Sequence, residues 1–126
     1  MSKSPITCHV LDASLGKPAT GVEARLYRVE ATADGARSEQ QLAQGLTNSD
    51  GRILDLLPPR GSENAIEILS GQNYKIIFST KPYFDQSGRT SFYPWVEIPF
   101  TIQNPEEHYH IPLLISPFSF TTYRGS

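Results

Sequence analysis

With one cysteine, Cys8, among its 126 residues, the chain has no means of forming an internal disulfide. Flanked by β-forming residues, Cys8 reads as a small core side chain rather than a nucleophile. Long apolar runs are also missing. No stretch approaches the ~20 residues of a membrane span, and the opening segment lacks the apolar centre of a signal peptide. Positive charge is not in excess: 11 Lys and Arg stand against 13 Asp and Glu, a formal net charge of -2. That balance argues against nucleic acid as a partner. Internal repeats and low-complexity tails are absent too. The expectation is one domain over residues 1–126, in a reducing compartment, bound neither to membrane nor to nucleic acid.

What is present is punctuation. Ten prolines and nine glycines divide short apolar runs, a pattern that favours strands over long helices. Strands are expected at residues 6–11, 22–29, 39–47, 52–57, 73–80, 95–102, 108–115 and 118–123. Between them lie a loop at 12–20 and a hairpin loop at 30–37 around Asp34-Gly35. The turn Asn48-Ser49-Asp50-Gly51 follows, then a break at Pro58-Pro59-Arg60-Gly61. Residues 81–86 allow one helical turn, closed by Ser87-Gly88. Eight short strands with at most one short helix read as an all-β sandwich.

Side chains alternate across a strand, so parity assigns faces. Tyr109, Ile111, Leu113 and Ile115 form an apolar set that must face the core, which turns His108, His110, Pro112 and Leu114 outward. Cys8 and Val10 suit the core, leaving Thr7, His9 and Leu11 outside. Phe118 and Phe120 are expected inward, with Ser119, Thr121 and Tyr123 outside. An outer face that mixes imidazoles with leucines fits a subunit interface better than open water.

Bland readings compete at each of these positions. Histidines on a solvated strand face are commonly inert, and Arg52 after the Asp50-Gly51 turn would alone be an ordinary charge. His108, His110 and His9 also compose a nitrogen ligand set for zinc, but no Cys, Asp or Glu falls at a supporting offset. Residue pattern by itself stops at a sandwich with a polar outer face.

Three stretches go further. They are Cys8-His9-Val10-Leu11-Asp12 running into Gly16-Lys17-Pro18-Ala19, then His108-Tyr109-His110-Ile111-Pro112-Leu113-Leu114 with Ser116-Pro117, and the terminal Tyr123-Arg124-Gly125-Ser126. With Gly51-Arg52, they resemble the 5-hydroxyisourate hydrolases, the enzymatic relatives of transthyretin. The hormone carrier shares the Leu-Asp and Gly-x-Pro-Ala start and the Ser-Pro turn, but it lacks the terminal tetrapeptide. It also has lysine where His9 stands and no counterpart of His110.

The resemblance implies a transthyretin-like eight-stranded β-sandwich with a short helix after the fifth strand. It implies a homotetramer, a dimer of dimers, with sites in the channel between dimers. The implied activity is hydrolysis of 5-hydroxyisourate to 2-oxo-4-hydroxy-4-carboxy-5-ureidoimidazoline in urate degradation, with no cofactor and no metal. Carried over residue by residue, His9, Arg52, His110 and Ser126 fall on catalytic positions. His9, Arg52, Tyr123, Arg124 and Gly125 fall on substrate-binding ones. The expected location is the cytoplasm, or the peroxisome by family habit in eukaryotes. Residues 30–40 and 59–69 are longer than the family pattern and lie outside its motifs.

Overall fold

Inward alternation organises the strands of this chain. The computed structural model describes residues 4–125. Its elements are β1 (Ile6–Asp12), β2 (Lys17–Pro18), β3 (Glu23–Ala31), β4 (Arg37–Leu46), β5 (Arg52–Ile53), β6 (Gln72–Ser79), α1 (Thr80–Gln86), β7 (Val96–Ile102), β8 (Tyr109–Ser116) and β9 (Ser119–Thr122). The two-residue β2 adds to the eight strands expected. It arises where Lys17 and Pro18 come opposite Asp12 and Leu11.

One sheet runs β2-β1-β8-β9, with β5 also pairing to β1; the other runs β4-β3-β6-β7. The core lies between them. Ile6, Cys8 and Val10 of β1 and Tyr109, Ile111, Leu113 and Ile115 of β8 face Ala24 and Leu26 of β3 and Tyr74, Ile76 and Phe78 of β6. Burying each large side chain of this set contributes about 1.5–3 kcal/mol against the entropy of ordering it. Burial pushes the Cys8 thiol up to about 12, as expected of a packing residue rather than a reactive one.

Two expectations need correction. Phe118 does not face the core: it sits in the turn between β8 and β9 and is 69% exposed, because the tight Pro117-Phe118 connection takes it out of the pleat. Phe120 does lie opposite the core residue Ile115, yet it is only partly covered, its ring edge-on to Tyr93 at the sheet margin. The strand expected at residues 52–57 also closes after Ile53. Leu56 and Leu57 remain buried as loop residues filling the end of the core.

The end of β1 is fixed by a buried carboxylate. Asp12 is fully covered and accepts hydrogen bonds from Ser14, Leu15, Tyr83 and Arg89. Burial alone would raise its pKa, but the Arg89, Ser14 and Tyr83 bonds outweigh that and hold the carboxyl well below the usual range. Through Tyr83 it ties α1 to the sheet that carries the site.

Candidate active site

Because Ile6, Cys8 and Val10 occupy the core, β1 must send Thr7, His9 and Leu11 to the outer face. Neighbouring strands add to this face by register. His9 is opposite Arg52 in the antiparallel β1–β5 pair, and Thr7 is opposite His110 in the parallel β1–β8 pair. Residues directly opposed across a ladder share a face, so Arg52, His9, Thr7 and His110 form one continuous row. The sheet brings together four residues from three segments that are distant in sequence.

Local structure explains why Arg52 arrives there. The Asn48 side chain accepts from the Asp50 and Arg52 amides at 2.9 and 3.0 Å, folding the turn. Gly51 follows with φ +77°, and a Cβ there would lie 2.3 Å from the Val10 carbonyl oxygen. Only glycine satisfies both the backbone sign and the close approach. The Val10 amide donates to the Gly51 carbonyl at 2.7 Å, locking the turn to β1 one residue from His9.

His9 donates from Nε2 to the Asp50 carbonyl at 3.0 Å, since a carbonyl can only accept. In the neutral ring the lone pair therefore sits on Nδ1. Burial, reinforced by the nearby Arg52 charge, lowers the His9 pKa and outweighs the opposing influence of Asp50. The neutral imidazole is therefore favoured over the cation. His9 and His110 have ring centroids 6.3 Å apart, and His108 and His110 6.5 Å. Between the latter two, Thr7 Oγ1 lies 2.9 Å from His108 Nε2 and 2.8 Å from His110 Nδ1.

The C-terminal tail divides. Gly125 lies along β8, its amide donating to the His110 carbonyl at 3.0 Å. A Cβ on Gly125 would come within 2.8 Å of His110 Cδ2, so the backbone packs directly on that ring. Arg124 turns the other way. Its guanidinium pairs with Glu107 at 2.6 Å and stacks 4.5 Å over the Tyr109 ring. Tyr123 follows the last residue of β9, is largely exposed, and borders a cavity of about 500 Å³ with Tyr109, Ile111 and Arg124. Tyr109 and Ile111 are core-facing, so this cavity opens on the inner side of the sheet, away from the imidazole row. Ser126 lies outside the described residues.

Thr7 is not a candidate site residue in the sequence, and His108 is one there only as a zinc ligand. Parity does place both on the outer face, but nothing in the sequence fixes the parallel register that sets them beside His110. Among the described residues, no three His, Cys, Asp or Glu side chains converge as a metal-ligand set, and no helix is long and apolar enough to cross a membrane.

Two packed sheets with an apolar interior, and imidazoles and a guanidinium presented by strand register on the outside of one of them, define a β-sandwich. The chain belongs to the HIUase/Transthyretin family, whose model matches residues 6–125. It is 45% identical over 123 residues to the 5-hydroxyisourate hydrolase of Mus musculus, covering 98% of this chain and 96% of that protein. The structure of Klebsiella pneumoniae 5-hydroxyisourate hydrolase superposes with TM-score 0.73 at 32% identity, covering all of both chains. Transthyretin from Sparus aurata gives TM-score 0.72 at 34% identity, with 96% of each chain covered.

Proposed function

We propose that this chain hydrolyses 5-hydroxyisourate to the ureidoimidazoline carboxylate, as a step in urate degradation. The observation that carries the reading is the row of Arg52, His9 and His110 on one outer face, set there by direct strand pairing. Similarity across the whole chain to a named 5-hydroxyisourate hydrolase supports it.

Opening a cyclic amide requires an activated water, a receptor for charge developing on the carbonyl oxygen, and a proton for the departing nitrogen. His9 and His110 flank the space for the water, and one of them removes its proton. His9 suits a neutral role because burial, with the Arg52 charge beside it, disfavours its cation. Arg52 offers a planar fork that matches a purine-like edge and stabilises negative charge as it forms. Gly125 borders the substrate where it packs on His110, and Arg124 anchors the tail through Glu107. Tyr123 takes the substrate-binding role expected of it only if assembly turns it toward the imidazole row, and Ser126 orients a histidine.

The working form is a homotetramer, a dimer of dimers, in which outer faces meet and close the site against water. Half-buried Leu11 and Leu114 beside the imidazoles support such a contact. A cytoplasmic location, or a peroxisomal one in a eukaryote, accompanies the reading.

The test is the absorbance decay of freshly generated 5-hydroxyisourate with and without the protein, with sedimentation in parallel. His9→Asn and His110→Asn should each lower turnover about 10²- to 10⁴-fold while leaving assembly unchanged. Binding of an aromatic ligand without accelerated decay would instead indicate a transthyretin-like carrier.

A further inference from the structure

Thr7 is the buried centre of the outer row, only 2% exposed. Its hydroxyl touches two imidazoles at once, His108 Nε2 at 2.9 Å and His110 Nδ1 at 2.8 Å. The two rings are inclined by only 19°, with centroids 6.5 Å apart, so the hydroxyl bridges rings that do not reach each other. A threonine hydroxyl has one proton and two lone pairs. It can donate to one of these nitrogens while accepting an N–H from the other, the tautomers of the two rings deciding which. The protonation of His108 and that of His110 are therefore linked through a single atom.

We propose that Thr7 and His108 are positioning residues for His110, forming a proton relay behind the base. The proposal rests on the hydrolase reading above and assigns the base to His110. In the resting state His110 donates Nδ1–H to Thr7 Oγ1, and Thr7 donates its own proton to His108 Nε2. This tautomer puts the His110 lone pair on Nε2, the nitrogen pointing away from Thr7. When Nε2 takes a proton from the attacking water, the resulting hydroxide bonds to the substrate carbonyl carbon. The Nδ1 proton passes to Thr7 Oγ1, and the hydroxyl proton passes to His108 Nε2. His108 becomes the imidazolium, while His110 stays neutral with its proton now on Nε2.

As the ring C–N bond breaks, that Nε2 proton goes to the departing nitrogen and the relay reverses, restoring Nδ1–H. Water has then supplied hydroxide to carbon and a proton to nitrogen, and the protein is unchanged. Chemically, the relay moves positive charge one residue away from the reacting atoms. It also keeps His110 from holding both protons.

Thr7→Val keeps the shape and removes the hydroxyl; Thr7→Ser keeps the hydroxyl. His108→Gln, at a half-exposed position, preserves a hydrogen-bonding group but cannot take up a proton. Thr7→Val and His108→Gln should each lower kcat about 10- to 100-fold with KM little changed, less than loss of a group in direct contact. Thr7→Ser should recover to within a few-fold of wild type. The double variant Thr7→Val/His108→Gln should be no slower than the worse single, because both changes cut one path.

Two-bond ¹H–¹⁵N spectra should find His110 as the Nδ1–H tautomer in wild type and as a mixture in Thr7→Val. His110→Asn is run alongside. If it is inactive while Thr7→Val and His108→Gln match wild type, the relay is overturned and the hydrolase reading stands. If His110→Asn itself retains turnover, the assignment of the base fails, and the relay with it. An unaltered His110 tautomer in Thr7→Val also overturns the relay.

Discussion

His9 and Arg52 stand directly opposite each other across the β1–β5 pair, with the imidazole Nε2 anchored on the carbonyl of Asp50, two residues before Arg52. One turn thus supplies both the hydrogen bond that fixes the His9 tautomer and the charge that disfavours its cation. Position and electrostatics of His9 come from one short segment, residues 48–52.

Replacing Arg52 should separate its two effects. Arg52→Gln removes the neighbouring charge, so the His9 pKa should rise towards its ordinary value; burial still keeps it below. Arg52→Lys keeps the charge, so the His9 titration should barely move. Both variants should lose about 10²-fold or more in kcat/KM, because neither restores the bidentate fork at the developing oxyanion. Imidazole NMR titration and turnover together check this. A Lys variant with wild-type turnover would remove the fork from the mechanism.

Gly51→Ala should be the most damaging of the glycine substitutions in the turns. Its Cβ would meet the Val10 carbonyl oxygen at 2.3 Å and would also hold alanine at φ +77°. Gly16, at φ +70°, has nothing within 4 Å of an added Cβ and is the control. Urea denaturation should show a loss of about 1 kcal/mol for Gly16→Ala and several kcal/mol for Gly51→Ala. Equal losses would mean that the contact with Val10 is readily relieved.

Much of this arrangement is legible in the sequence, for identifiable reasons. The β8 residues Tyr109, Ile111, Leu113 and Ile115 alternate so regularly that His110 can only point outward, and the same holds for His9 between Cys8 and Val10. Asp50-Gly51 announces its own turn. What parity cannot supply is register: the pairing of Thr7 with His110 depends on a parallel contact between segments over a hundred residues apart. Hence Thr7, an ordinary strand threonine by composition, gives no sign of being covered by two histidines. Phe118 misleads for a different reason. Its apolar character argues for the core, whereas the tight turn it occupies exposes it. Tyr123 lies one residue past the end of β9, where strand alternation no longer fixes its side.

The tail should prove functional rather than structural. Gly125→Ala would push a methyl against His110 Cδ2 at 2.8 Å and Pro112 Cγ at 3.1 Å. The tail must then lift from β8, and turnover should fall at least about tenfold, by loss of positioning at the base, with little change in thermal midpoint. Deleting residues 123–126 should abolish hydrolysis while leaving circular dichroism near native. Glu107→Gln, which releases the exposed Arg124 pair, should weaken turnover less than Gly125→Ala. Full activity in the truncated chain would exclude the tail from the site.

Acid should expose the role of Asp12. Its folded-state pKa is depressed below that of an unfolded aspartate, about 3.9. The stabilisation it supplies is therefore fully present above that value and is lost as pH falls through it towards the folded pKa. Asp12→Asn removes the ionised partner of Arg89 and should cost on the order of 3 kcal/mol at pH 7, the range for breaking a buried pair. Urea midpoints for the two proteins should keep a constant gap from pH 7 to about pH 5 and converge as pH falls below about 4. Other carboxylates titrate alike in both proteins, so the narrowing isolates this one group. A gap that stayed constant down to pH 3 would mean that Asp12 contributes through shape and hydrogen bonding alone, with its charge immaterial to how α1 is held against β1.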